Sequence, residues 1–245
     1  MPENRFWEID FARGIAVIAM IAFHALFDLN YFAGFSLNLS SGFLWWFARA
    51  TAAAFIFLVG IGLHLSYSRS IKNGFSFVAK KFLLRGAKTF ALGLVVTIAT
   101  YLFLQGRGTI WFGVLHFIGV AIILSLLFIR SAKMAFSGAI ASIALGIYLD
   151  SLTIQSPYFF WLGLKHQSFY SFDYFPIFPW LGVMLLGICA ASMLYTRGKR
   201  NFRLGEPKNH FVSLLSFAGR NSLLIYFLHQ PILIAAVFFA KSFAA

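Results

Sequence analysis

The chain has 245 residues, of which 60% are hydrophobic and only 11% charged. An average soluble domain carries about 25% charged residues, so this composition excludes an ordinary water-covered globule and requires lipid as solvent. The formal charge of +13 would suggest nucleic acid in a soluble protein. Here the cations cluster between apolar runs, where they act as topology signals, so nucleic acid is not an expected partner.

A spanning helix needs about 20 mostly apolar residues. In chain order, seven such runs are predicted at 9–31, 43–65, 82–104, 110–129, 133–149, 176–195 and 221–240. The fifth is short and contains glycine. The connections 32–42, 66–81, 150–175 and 196–220 are more polar. No internal repeat, low-complexity tract or soluble domain interrupts them, so residues 1–245 read as one membrane domain. The N-terminal apolar stretch is long, carries charges and lacks a clear cleavage site, which speaks against a cleavable signal peptide. Cys189, the single cysteine, excludes an intramolecular disulfide.

Lysine and arginine orient these runs. With a cytoplasmic N-terminus, sixteen of the twenty basic residues fall inside: Arg5 and Arg13, the cluster from Arg69 to Lys88, Arg130 and Lys133, and the run from Arg197 to Arg220. Arg107, Lys165 and Lys241 fall outside, with Arg49 near the outer end of the second run. Cytoplasmic loops carry the Lys and Arg excess, and an even number of spans would scramble the pattern. The expected fold is an all-α, polytopic transmembrane helical bundle of seven spans, N-terminus cytoplasmic and C-terminus outside, in the cell (plasma) membrane. The outer loop 150–175 is aromatic and nearly uncharged, as in an interfacial belt or a cap over a cavity.

Ionisable groups inside spans are costly and mark candidate sites. The first run holds Asp10, Arg13, His24 and Asp28. Asp10 precedes Arg13 by three residues and can neutralise it. Asp28 follows His24 by four, the spacing of neighbours on one helix face, and a carboxylate there would orient an imidazole as general base. His64 lies near the inner end of the second run. His116 follows the short outer turn. His229 sits two residues before Pro231, where the missing amide frees a backbone carbonyl. Arg85 and Lys88 share a face at the inner end of the third run, suited to phosphate or to anionic lipid. No metal is expected.

The segment Ile9 to His24, with Asp10, Arg13-Gly14 and His24, resembles the first helix of the transmembrane acyltransferases. Further patches are Asp28-Leu29-Asn30-Tyr31-Phe32, Phe112 to Gly119 around His116, Asp173-Tyr174-Phe175-Pro176 through Gly182, and Gly219-Arg220-Asn221 through Pro231. Together they are similar to the heparan-α-glucosaminide N-acetyltransferase catalytic-domain family, in the branch long called domain of unknown function 1624, related to the acyltransferase-3 family. That resemblance implies an acyltransferase moving an acyl group, commonly acetyl, from cytosolic acyl-CoA to an extracytoplasmic hydroxyl or amine, often on a sugar. The relation to the acyltransferase-3 family, where a first-helix Arg and His are functional, implies roles for Arg13 and His24. That family also carries a cytosolic Arg-x-x-Arg motif at the start of its third helix, and the corresponding place reads Arg85-Gly86-Ala87-Lys88 here; lysine keeps the charge and loses the bidentate fork.

The resulting site is His24, Asp28, His116 and His229 for catalysis and Arg13, Arg85 and Lys88 for the acyl-CoA co-substrate. Expected partners are acyl-CoA, a glycan or lipid-linked sugar acceptor, membrane lipid and a second copy in a homodimer. The rival reading is a proton-coupled transporter of small molecules or lipids, since buried His, Asp and Arg also build proton relays.

Overall fold

A computed structural model describes residues 5–196, 198–207 and 209–244. Arg197 and Lys208 of the basic run lie outside the described residues. Among these residues the chain forms eight α-helices: α1 (Trp7–Phe32), α2 (Gly42–Ser70), α3 (Phe75–Leu104), α4 (Val114–Leu124), α5 (Ala132–Asp150), α6 (Ile177–Leu194), α7 (His210–Arg220) and α8 (Ser222–Ala244). A two-residue pair, β1 (Tyr195–Thr196) and β2 (Lys199–Arg200), follows α6 in antiparallel register. Six helices are long and apolar enough to cross a membrane: α1, α2, α3, α5, α6 and α8. The fold is thus an all-α multi-pass membrane bundle.

The predicted fourth span is shorter than the other six. Its α-helix has eleven residues, followed by a 3-10 turn at Ser125–Leu127. At 1.5 Å per residue the α-helical part is about 17 Å long, well short of the ~30 Å hydrocarbon layer. Most of α4 is buried, from Val114 through Gly119 and at Ala121 and Ile122. A helix apolar all round and covered by other helices belongs to a bundle interior rather than a lipid-facing wall. In contrast, Leu94, Val95, Ile98 and Leu102 of α3 are exposed, as lipid-facing residues must be.

Contacts divide the chain into two compact units, 5–58 with 204–244 and 59–203 among the described residues. In the first, α1 packs on α7 and α8. Gly14 lies against the Leu215 carbonyl and Gly219 against the Asp10 carbonyl, so a methyl at either position would strike backbone. The order of these pairs runs α7 opposite to α1. Small residues let membrane helices approach this closely. The α7 helix lies within a stretch expected as a polar connection. Asn209 caps it, accepting from the Phe211 amide at 2.9 Å, and Ser216 and Gly219 face inward while Phe211, Leu214 and Phe217 are exposed. Eleven residues fall below the length that a hydropathy window detects.

The α8 helix runs parallel to α1. His24 meets His229, Asp28 meets Gln230, Phe32 meets Phe238, and Lys241 Nζ donates to the Phe32 carbonyl at 3.0 Å. First and last spans point the same way when the number of crossings is odd. The parallel pairing therefore agrees with seven crossings that include α4.

In the second unit, α3 and α4 are antiparallel, with Gly86 against the Gly119 carbonyl and Gly119 against Phe90. Helices α5 and α6 are likewise antiparallel, Gly146 seating Pro179 and Gly182 lying on the Ala139 carbonyl. The α6 end is sealed by Asn201, whose amide donates to the Met193 carbonyl and to Thr196 Oγ1 at 2.6 and 2.7 Å. The turn into α3 uses Gly74 at φ 91, a conformation that L side chains avoid.

Candidate functional site

The polar groups of the first unit lie on the inner face shared by α1 and α8. His229 is 7% exposed and Asp28 is fully buried. The His24 and His229 rings meet edge to face, with centroids 4.9 Å apart. His229 Nδ1 lies 2.7 Å from the Tyr226 carbonyl oxygen. A carbonyl can only accept, so Nδ1 carries the proton and the neutral ring keeps a lone pair on Nε2. That Nε2 is buried and has no hydrogen-bond partner among the described residues.

Pro231 sits two residues further on, inside a helix that continues to Ala244. It has no amide to give the Phe227 carbonyl, its expected partner four residues back. The carbonyl that holds His229 is thus next to one that the proline leaves without a ladder bond. This local sequence, Tyr226 through Pro231, sets the tautomer.

Asp28 has a different neighbour from the one its spacing suggests. Its Oδ1 accepts from Gln230 Nε2 at 2.7 Å, across 202 residues of chain. Among the described residues its hydrogen-bond partner is Gln230, not His24. Asp28 Oδ2 and Gln230 Oε1 are both buried without partners. Gln230 lies in the Gly219–Pro231 patch, where nothing local marks it as the partner of Asp28.

At the other end of α1, Arg13 pairs with Asp10 at 3.7 Å, as the three-residue spacing requires. Arg5 reaches the same carboxylate at 3.9 Å. The Arg13 guanidinium also donates to the Leu58 carbonyl of α2 at 3.3 Å. Arg13 therefore ties α1 to α2 within this unit while remaining partly exposed, at 24% of its side chain.

His116, Arg85 and Lys88 belong to the second unit. His116 is 2% exposed, stacked on Phe112 and edge-on to Phe90. Thr97 Oγ1 donates its single proton to the Ile110 carbonyl at 2.6 Å. The 3.3 Å contact between Thr97 Oγ1 and His116 Nε2 must then use an Nε2 proton, leaving Nδ1 as the bare nitrogen. Nδ1 is buried without a partner, and its ring lies against Gly93, where an added Cβ would come within 2.9 Å. Arg85 and Lys88 have exposed positions on α3. Among the described residues neither forms an ion pair with a carboxylate, so both cations are available to an anion.

Asp173 holds the N-terminal end of α4. Its Oδ2 accepts from the Val114 amide at 3.0 Å, capping α4 one turn from His116. Phe112 and Tyr174 form a parallel bridge, and the Phe175 amide donates to the Phe112 carbonyl at 2.9 Å. Burial pushes the Asp173 carboxyl up to about 6, against the opposing hydrogen bond from Val114. Burial, then repulsion from Asp150, raises the Tyr174 phenol above its ordinary range. The Tyr174 hydroxyl donates to the Phe160 carbonyl at 2.6 Å, and Phe160 stacks on Phe169 at 5.2 Å. The loop 150–175 is thus held by its own rings. Asp173 stood in a quoted motif, but nothing local marked it as a helix cap for residues 59 positions earlier.

Among the described residues, no group of three or more His, Cys, Asp or Glu side chains is placed to hold a metal. The arrangement offers imidazole bases with defined tautomers and buried lone pairs, which suits proton transfer from a hydroxyl or amine.

No curated protein and no solved structure matches the chain significantly. A family model described as heparan-alpha-glucosaminide N-acetyltransferase, catalytic, matches residues 5–231, which takes in α1 with its Asp10, Arg13 and His24 and runs on to His229 and Pro231. With the match extending over both units and over every predicted site residue, the chain belongs to the heparan-α-glucosaminide N-acetyltransferase catalytic-domain family of membrane transferases.

Proposed function

We propose that this protein transfers an acyl group, acetyl in the first instance, from acyl-CoA to a hydroxyl or amine on a sugar. The observation that carries the reading is His229 Nε2: a buried lone pair, fixed by the Nδ1 bond to the Tyr226 carbonyl, beside the ring of His24. In the proposed step the acceptor O–H or N–H gives its proton to Nε2 as its oxygen or nitrogen attacks the thioester carbonyl. The C–S bond breaks, and CoA leaves as the thiol by taking that proton. His24 lies where it can orient the reacting groups, and His116 serves the second unit in a positioning role. A route through an acyl-histidine would use the same two rings of the first unit.

Arg85 and Lys88 are the proposed contacts for the CoA phosphates, with Arg13 as a further cation on α1. With the N-terminus cytoplasmic, these cations face the cytosol and the acceptor comes from the outer side of the cell membrane. Family membership and the positive-inside distribution support this direction.

The test is purified protein in nanodiscs, given labelled acetyl-CoA and a panel of amino and neutral glycans. Transfer is expected to at least one glycan and to fall steeply in a His24→Ala variant. No transfer and no CoA binding would overturn the reading, as would full activity without His24. Proton-coupled uptake into proteoliposomes without CoA would favour the transporter.

A further inference from the structure

Three lone-pair atoms lie on the inner face of α1 and α8 without partners among the described residues: Asp28 Oδ2, Gln230 Oε1 and His229 Nε2. All are buried, and Asp28 has no exposed surface at all. Buried polar atoms in native structures are nearly always satisfied, and each orphan calls for an explanation. With the carboxyl ionised, the three atoms accept and none donates. One Nε2 proton of Gln230 goes to Asp28 Oδ1 at 2.7 Å; the second stays on the amide, beside the unpartnered Oε1.

The two rungs of this face are close together. His24 and Asp28 are one turn apart on α1, about 6 Å along the axis, and His229 and Gln230 are consecutive on α8. A ligand seated on this face must therefore bring several hydrogen-bond donors within roughly one helical turn. A phosphate or carboxylate group would set its oxygens against three lone pairs and could accept from the second Gln230 N–H alone. A simple alcohol or monoamine would satisfy His229 Nε2 and leave the other two unmet.

Resting on the acyl-transfer reading, we infer that Asp28 and Gln230 form a donor-reading subsite, which recognises a second hydroxyl or amino group on the same sugar ring whose reacting group faces His229. Gln230 is then a substrate-binding and specificity-determining residue. Its partner Asp28 is held by it in place of a bond to His24.

The experiment compares methyl glucosaminide with its 3-deoxy, 4-deoxy and 6-deoxy analogues. Binding to the purified protein is measured by calorimetry and transfer by labelled acetyl-CoA. In the wild type at least one deoxy analogue should lose about 10- to 100-fold in kcat/KM and in affinity, because a buried acceptor is left unpaired. In Gln230→Met the parent sugar should fall to the level of that analogue, and the difference between them should vanish. A double variant, Asp28→Asn with Gln230→Glu, reverses donor and acceptor in the 2.7 Å bond and again leaves two free oxygens. It should restore the discrimination, which a purely structural role for Gln230 would not do. Equal use of all four sugars by the wild type would overturn the inference, as would undiminished discrimination in Gln230→Met. If Gln230→Met does not fold, loss of discrimination in the double variant overturns it equally. Gln230-dependent binding without transfer would sustain the subsite and overturn the transferase reading. Absence of both binding and transfer would overturn the two together.

Discussion

Replacing His229 by asparagine separates the ring's two nitrogens. The asparagine amide can occupy the Nδ1 position and keep the hydrogen bond to the Tyr226 carbonyl, now 2.7 Å long. What disappears is Nε2, the buried lone pair. A general base contributes about 10²- to 10⁴-fold to a rate. At 1.36 kcal/mol per decade this is ~3–5 kcal/mol of transition-state stabilisation. His229→Asn should therefore lose that factor in kcat, with KM for acetyl-CoA little changed because His229 is not among the groups proposed to hold CoA. Folding should be retained, since the carbonyl partner is kept. The assay is steady-state transfer of labelled acetyl in nanodiscs, with thermal unfolding as the control. A variant with kcat within threefold of wild type, and normal unfolding, would refute the reasoning that Nε2 takes the proton.

The second unit supplies further tests. Gly93→Ala places a methyl 2.9 Å from the His116 ring, so the ring must shift by about half an ångström and strain its 3.3 Å bond to Thr97. Overpacking of this kind costs about 1–3 kcal/mol, or roughly 2–10 °C in Tm for a chain of this size, and an unchanged Tm would show that the ring is loosely held. For Asp173, whose carboxyl is pushed up to about 6, the folded state holds its proton where the unfolded chain has lost it. Its stabilising effect is fully present below about pH 4 and is lost as pH rises through about 6. Wild type should therefore gain thermal stability between pH 7.5 and 5, and Asp173→Asn, which keeps an acceptor for Val114, should gain less; equal gains would refute the assignment. The Lys165–Asp150 ion pair is short, at 2.6 Å, but both side chains are exposed. Lys165→Ala should change stability by less than about 1 kcal/mol, measured by the same melts.

Hydropathy and charge are sums over neighbouring residues, so the sequence alone determined what depends on such sums. It placed the six long spans to within a few residues, except that α2 and α3 extend further into the 66–81 connection. It also located the short apolar run of α4 and marked His24 and His229 as costly groups in apolar surroundings. The i,i+3 pairing of Asp10 with Arg13 was legible for the same reason: one helix geometry contains both partners. Tertiary structure decided what depends on which helix faces cross. The Asp28–Gln230 bond joins residues 202 positions apart, and its formation follows from α8 lying parallel to α1. The burial of α4, the Thr97 hydroxyl oxygen that accepts from His116 Nε2 and so fixes its tautomer, and the Asp173 cap on Val114 likewise need the second element in place. Gly14 and Gly219 are ordinary glycines in the sequence and become the closest approach of α1 and α7 only when the two backbones meet. A local pattern can say that a polar group inside a membrane span must find a partner. Which atom it finds is a property of packing.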